Sequence, residues 1–121
     1  MGTNSPGYKL DVNGIIRATG FFYNSDRRLK DNITPLSNSL EKILSLNGYS
    51  FNWKSSGMKD IGMIAQEVEL VFPDIVHTDK VTGYKSVEYG NLVAPLIEAI
   101  KIQQQEIESL KIEIESLKKQ G

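Results

Sequence analysis

Hydrophobic residues in the last quarter of the chain recur in alternating steps of three and four. The repeating positions are Ile100, Gln103, Ile107, Leu110, Ile114 and Leu117. This is the a and d repeat of a coiled coil, with Ile at a, Leu at d and Gln103 as a polar interruption. We therefore predict a long helix over residues 91–121, with Pro95 in its first turn, that pairs with other copies of the chain along this seam.

The charges beside the seam favour a parallel arrangement. Glu106 and Glu113 fall at g positions, and Lys111 and Lys118 at the e positions five residues later. These g and e positions face each other between parallel chains, so both pairs are oppositely charged. An alternative is an amphipathic helix that packs back on its own domain. The heptads alone do not decide between a dimer and a trimer. Coiled coils with Ile at a and Leu at d are often dimers, so the repeat by itself does not establish a trimer.

The middle of the chain carries signals for two short helices. Thr34 followed by Pro35 predicts a helix start, and Gly48 predicts the end of that helix. A second helix is predicted from Ala65, and Pro73 stops it.

Strand patterns alternate with these helices. Residues 49–53 alternate aromatic and polar side chains, which predicts a half-buried strand. Further short strands are predicted at 61–64, 75–76 and 84–87, the last two as a hairpin. Residues 25–90 are therefore expected to form a compact α+β domain.

The first 24 residues are expected to be β-structured. Tyr8, Leu10 and Val12 alternate with polar residues, and Asn13-Gly14 is a tight-turn signal. These strands are too few to fold alone. Two interpretations stay open: a hairpin added to the following domain, or the last rung of a longer β-structured shaft shared between chains.

Composition removes several classes of function. The 121 residues contain no cysteine and one histidine, and their formal net charge is -1. Disulfides, thiol catalysis, Cys-ligated metal and a multi-His metal site are excluded within the chain, and we expect no cofactor and no nucleic-acid partner. A chain this small has a limited core, so we expect other copies to complete it.

No membrane partner or secretory signal is expected. The first residues lack the basic and apolar regions of a signal peptide. The longest apolar run, residues 92–97, is far shorter than the ~20 residues of a membrane span.

Ser25 and Lys30 are the remaining candidates for nucleophilic chemistry. A lysine acts as a general base when burial lowers its pKa. On a straight helix, five residues place two side chains about 140° apart, so this pair needs a turn or loop to meet. The spacing alone is a weak signal, because Ser25 also suits a cap or turn and Lys30 a solvated surface. His77 is predicted to be a half-exposed residue at a strand end.

Three sequence blocks together resemble one family. They are residues 25–33 (Ser-Asp-Arg-Arg-Leu-Lys-Asp-Asn-Ile), residues 62–76 (with Gly-Met-Ile-Ala-Gln-Glu-Val and Phe-Pro-Asp-Ile-Val), and residues 86–89 (Ser-Val-Glu-Tyr) leading into the heptads. The chain from Ser25 to about Lys119 resembles the C-terminal intramolecular chaperone domain of bacteriophage tail spikes and fibres, the endosialidase type of self-cleaving serine peptidase.

The resemblance implies a fold, an activity and a partner. It implies an α+β domain with a β-structured N-terminal stub (1–24), a chaperone and autoprotease domain (25–90) and a C-terminal coiled-coil helix (91–121), assembled as a homotrimer. The domain registers an upstream fibre shaft of the same polypeptide and then cuts the Asn24–Ser25 bond, with Ser25 as nucleophile and Lys30 as base. It also implies a virion precursor that folds in the cytoplasm of the bacterial host, and a released domain that is absent from the mature fibre.

A competing interpretation keeps the domain in place. The chain would be a non-cleaving, permanent trimerisation cap or a receptor-binding tip, with Ser25 and Lys30 as ordinary turn and surface residues. A basic-leucine-zipper protein is rejected, because no basic run precedes the heptads.

Overall fold

A computed structural model describes residues 8–120 of the chain. The predicted segments also include residues 1–7 and 121, which lie outside the described residues. The chain divides into two compact units, Met1–Pro35 and Leu36–Gly121.

In the first unit, the described residues hold one regular element, a 3-10 turn at Arg27–Leu29. No strand forms within residues 8–24 of the single chain, so the hairpin interpretation is not borne out, and strands shared between chains stay a prediction. A strand needs a hydrogen-bonding neighbour, and residues 8–24 pair with no other segment among residues 8–120. Alternation of apolar and polar residues encodes a strand face but does not supply the partner strand.

The second unit mixes helices and strands, as predicted. Its elements are α1 Ser39–Leu44, β1 Tyr49–Asn52, β2 Lys59–Gly62, α2 Ala65–Val71, β3 Val76–Thr78, β4 Lys85–Val87 and α3 Val93–Gln120, with 3-10 turns at Pro73–Ile75 and Tyr89–Leu92. Two antiparallel hairpins form, β1 with β2 and β3 with β4. In the first hairpin Tyr49 lies opposite Gly62, and in the second Val76 lies opposite Val87.

The predicted start and end of α1 are wrong. The helix begins at Ser39 instead of following Thr34, because Asn38 adopts a left-handed conformation with φ 55° just before it, a conformation that asparagine tolerates better than most residues. At the other end the backbone N–H of Ser45 bonds to the carbonyl of Glu41. Gly48 lies beyond that end without a positive φ, so it is not the helix terminator.

The core of the second unit is small. Its buried apolar residues in the described chain are Val68, Val76, Leu92, Pro95 and Ala99. Many larger apolar side chains remain exposed to water. One chain alone therefore buries little apolar surface, in line with the expectation that a domain of this size needs help from other copies.

Candidate functional site: a serine–lysine pair and an exposed helical seam

Ser25 and Lys30 meet across the 3-10 turn of the first unit. The Lys30 ammonium Nζ donates a hydrogen bond to Ser25 Oγ at 2.8 Å. The Lys30 N–H bonds to the carbonyl of Arg27 at 3.1 Å, which closes the turn. A 3-10 turn rises only about 2 Å per residue, so the four-carbon side chain of Lys30 spans it. This turn supplies the chain reversal that the five-residue spacing required.

Asp26 caps the turn that joins the pair. Its carboxylate accepts a hydrogen bond from the backbone N–H of Arg28 at 2.9 Å and two more from the Arg28 guanidinium at 3.1 and 2.9 Å. The side-chain bond to Arg28 is the main cause that lowers the pKa of Asp26, and the backbone bond adds to it. The same contact raises the pKa of Arg28. Asp26 is therefore charged near neutral pH, when it caps the turn best.

The surroundings of the pair are exposed in the single chain. Ser25 and Lys30 are both open to solvent, and so are their apolar neighbours Phe22, Tyr23 and Leu29. A serine hydroxyl and a lysine at hydrogen-bonding distance have the geometry of a nucleophile and its base. The base also has to lose its proton, and exclusion of water favours that loss.

The other two blocks of the resemblance join in the second unit. The Tyr89 hydroxyl accepts a hydrogen bond from the backbone N–H of Met63 at 2.9 Å and lies directly against Gly62. The Glu67 carboxylate accepts a hydrogen bond from the Tyr49 hydroxyl at 2.9 Å, and this bond raises the pKa of Tyr49. Sequence reasoning noted these blocks but not their contacts, because the partners lie 18 and 26 residues apart.

His77 lies in β3, half exposed as predicted, although it is in the middle of the strand. Its Nε2 contacts the Glu88 carboxylate, to which the Asn91 side-chain amide donates at 3.2 Å. Within residues 8–120, no group of three or more histidine and acidic side chains is arranged to hold a metal ion.

The long helix α3 presents two different faces at its N-terminal end. Pro95 and Ala99 are buried within their own unit, where α3 contacts α1. The a and d positions of the same turns, Val93, Leu96 and Ile100, are 43–63% exposed. The face that is buried on the domain is therefore mostly distinct from the heptad face, of which Leu96 alone borders a cleft with the domain residues Ile43 and Leu46. This argues against the alternative of a helix whose seam is covered by its own domain.

The heptad face stays uncovered along the rest of α3. Ile107, Leu110, Ile114 and Leu117 are 46–66% exposed, and Gln103 is exposed between them and Ile100. The predicted long helix is confirmed. No helix among residues 8–120 has the combination of length and apolar character that crossing a bilayer requires.

Lysines beside the heptad face have weak partners in the single chain. Lys111 lies 3.8 Å from the Glu108 carboxylate, and Lys118 lies 4.0 Å from that of Glu115. Exposed pairs at such distances add little stability. Both lysines are therefore free to exchange these partners for acidic side chains of another chain.

An open groove of about 670 Å³ lies between the two hairpins. Aromatic side chains dominate one wall, where Phe51 and Trp53 form an edge-to-face pair with ring centres 5.0 Å apart. The Trp53 indole N–H is held by the Asp60 carboxylate at 3.1 Å.

Comparisons with known proteins find similarity over a region that includes Ser25 and Lys30. The family described as the chaperone of endosialidase, which is classified among the peptidases, matches residues 25–77. The long tail fiber protein Gp37 of Salmonella phage S16 is 30% identical over 115 residues, covering 87% of this chain and 15% of that protein. The Gp37 proteins of Enterobacteria phages K3 and T2 are each 33% identical over 95 residues, covering 71% of this chain and 8% and 7% of those proteins. The chain thus spans only a small part of the length of these relatives.

Proposed function

Because residues 25–77 match the chaperone-of-endosialidase family, we propose that the chain is the C-terminal chaperone of a phage tail fibre and that it releases itself by cutting the Asn24–Ser25 bond. The observation that carries the cleavage proposal is the 2.8 Å hydrogen bond between Lys30 Nζ and Ser25 Oγ. The match to the family begins at Ser25, the residue that would become the new N-terminus. The similarity to tail fibre proteins supports the fibre shaft as the upstream partner.

The cleavage chemistry uses the chain's own residues. Ser25 Oγ attacks the carbonyl carbon of Asn24 while neutral Lys30 takes the hydroxyl proton. The C–N bond then breaks, Lys30 returns the proton to the leaving amine, and Asn24 is left as an ester on Ser25 Oγ. Water hydrolyses this ester to give a carboxylate on Asn24 and a free amino group on Ser25. Each chain reacts once.

Assembly supplies the condition that the single chain lacks. A lysine in water is protonated near neutral pH, and it becomes a base when it is desolvated. Ser25 and Lys30 are exposed in the single chain, next to the equally exposed Tyr23 and Leu29. Burial of this apolar neighbourhood by neighbouring chains would desolvate the lysine, so cleavage would follow assembly and not precede it.

The assembly is a parallel homotrimer that forms along the heptad face of α3. The trimer state comes from the family resemblance, and the parallel direction is supported by the alternation of Glu106 and Glu113 with Lys111 and Lys118. The exposed heptad face gives the three chains apolar surface to bury on one another.

The chaperone role follows from the slow nucleation of a fibre shaft. Strands intertwined from three chains have a high contact order and therefore nucleate slowly. A trimer at one end holds the chains at high effective concentration, and its removal traps the finished shaft kinetically. Residues 8–24 form no strand in one chain, as we expect for the end of a shaft whose strands find partners only between chains.

The test of the cleavage proposal compares four variants by intact mass and on a denaturing gel. Ser25→Ala and Lys30→Gln should remain full-length, with rates lowered at least 10²-fold. Lys30→Arg keeps the charge and the donor but cannot serve as a base, so it should also remain uncut. The matched control Ser55→Ala, in the exposed turn after β1, should be cut like the wild type. Cleavage of Lys30→Arg at the wild-type rate would refute lysine as the base.

The capping turn offers a second test of the same site. Asp26→Asn keeps a good cap and should be cut at close to the wild-type rate, whereas Asp26→Ala loses the cap and should be cut severalfold more slowly. Equal rates for the two variants would show that the turn does not position Ser25 and Lys30.

The groove beside Phe51 and Trp53 favours a second candidate, a receptor-binding tip that stays on the fibre. Aromatic faces of this kind suit apolar or planar ligands. The two candidates differ in the covalent state of the chain, because a permanent tip retains residues 1–24 indefinitely.

A further inference from the structure

The exposed heptad face of α3 repeats almost without variation. Its eight a and d positions are Val93, Leu96, Ile100, Gln103, Ile107, Leu110, Ile114 and Leu117. Seven of the eight are apolar, and all eight are exposed in the single chain. Gln103 is the polar exception and lies near the middle of α3.

A regular heptad repeat does not fix how far one chain lies along another. If one of two parallel chains slides by seven residues, six layers still form, and four of them pair apolar residues with apolar residues. One of the two charge pairs also survives, because Glu106 then faces Lys118 where it faced Lys111 before. The slide moves the chains by about 10 Å, yet the apolar and charged patterns discriminate poorly against it.

We propose that Gln103 is the residue that fixes the register of the chains, an inference that rests on the proposed self-association through α3. In register, the Gln103 side chains of all the chains share one layer, and their amides can bond to one another because each carries donors and an acceptor. A slip of one heptad places each amide against a layer of Leu96 or Leu110. The amide is then buried without a partner, which is costly. A single polar residue in a coiled-coil core specifies register in this way, at some cost in stability.

Register has a functional consequence for the chain as a whole. The upstream strands of a shared shaft pair correctly only when the chains are level with one another, since a shift of even one residue turns side chains to the wrong face. The buried Gln103 layer therefore lowers the stability of the helical assembly, but it aligns the upstream strands of the chains with one another.

The test uses the absence of native cysteines. Leu117→Cys, at a d position near the end of α3, reports register through disulfide formation between chains. In-register cysteines share a layer and can bond, whereas a slip of about 10 Å exceeds the reach of a disulfide. Gln103→Leu is compared in this background with Gln105→Leu, which makes the same change two residues away and off the seam, and with Gln103→Asn, which keeps a polar layer.

The expected results separate a role in register from a general effect on stability. Gln103→Leu should raise the thermal midpoint yet lower the cross-linked fraction, or give several assembly masses by light scattering. Gln105→Leu and Gln103→Asn should cross-link to the same extent as the parent. Cross-linking of Gln103→Leu to the parental extent in one species would overturn the inference and leave self-association intact. A monomeric parent would overturn the proposed assembly, and the role of Gln103 with it.

Discussion

Gly62 lies against the hydroxyl of Tyr89, and its replacement by alanine tests how the second unit is held together. A Cβ atom at Gly62 would lie 2.7 Å from Tyr89 Oη, where ordinary contact begins at 3.4 Å. The tyrosine would have to move by about 0.7 Å. That movement stretches the 2.9 Å hydrogen bond that its hydroxyl accepts from the Met63 N–H.

The expected loss of stability for Gly62→Ala combines three contributions. Loss of the hydrogen bond costs about 0.5–1.5 kcal/mol. Overpacking costs about 1 kcal/mol, the low end of its usual range, because Tyr89 is half exposed and can give way. Replacing glycine within a strand returns about 0.5–1 kcal/mol. The net destabilisation is about 1 kcal/mol, which corresponds to roughly 4–8 °C in the thermal midpoint of a small domain.

Removal of the Tyr89 hydroxyl should relieve the clash. Tyr89→Phe alone loses the hydrogen bond to Met63, at a cost of about 1 kcal/mol. With the hydroxyl gone, a Cβ at Gly62 meets Phe51 and the ring carbon of residue 89 at 3.4 and 3.6 Å, which are ordinary contacts. The double variant should therefore be no less stable than Tyr89→Phe alone, with a coupling of about 1 kcal/mol or more.

The assay is thermal unfolding of all four proteins at one chain concentration, because association shifts the midpoint. Additive losses in the double variant would refute the close approach of the Tyr89 hydroxyl as the reason for glycine at position 62. A Gly62→Ala protein as stable as the wild type would refute it equally.

Three further predictions concern the core, the seam and pH. Val68→Ala, at a side chain only 1% exposed, should lower the free energy of unfolding by about 2 kcal/mol, whereas Leu70→Ala on the same helix, 88% exposed, should change it by less than about 0.5 kcal/mol; equal losses in chemical denaturation would contradict the buried core. Ile107→Lys, on the seam, should give monomers in light scattering, and Ile112→Lys, 69% exposed off the seam, should not; dissociation by both would place the interface elsewhere. Backbone N–H bonds from the hairpin loop lower the pKa of Asp79, so its contribution is present above the ordinary aspartate pKa and is lost as the pH falls through the lowered value. The free energy of unfolding should accordingly fall less on acidification in Asp79→Ala than in the wild type. Equal losses in the two proteins would contradict a stabilising role for the Asp79 carboxylate.

The long helix and the second hairpin were predictable because their signals are local. Heptad spacing with Asn91 and Pro95 near its start indicated α3, which begins at Val93, and the turn between residues 78 and 85 indicated the pairing of β3 with β4. Strand β2 was displaced by two residues from its predicted position. Its register follows from pairing with β1 across the turn at Gly57, where φ is 75°.

The start of α1 was predicted wrongly, and the strands predicted in residues 8–24 do not form in the single chain. Thr34-Pro35 resembles a helix start, but the left-handed Asn38 delays α1 to Ser39. The strand pattern of residues 8–24 has no pairing partner within the described part of one chain, so strands that pair between chains stay a prediction.

The contact between Ser25 and Lys30 could be predicted only in part from their separation in the sequence. Five residues between Ser25 and Lys30 are ambiguous without the capped 3-10 turn that brings their side chains to 2.8 Å. The family resemblance, rather than the spacing, predicted a catalytic role for the pair. The contacts of Tyr89 with Gly62 and Met63 had no local signal, because they join separate blocks of sequence.

The central claim is that assembled chains cut themselves between Asn24 and Ser25. Its most direct test is the intact mass of the purified wild-type protein beside Ser25→Ala, both first shown to be assembled by light scattering. The account predicts a wild-type species that begins at Ser25 and a Ser25→Ala species that retains residues 1–24. An assembled wild-type protein that stays full-length, or a Ser25→Ala protein that is cut at the same bond, would contradict it.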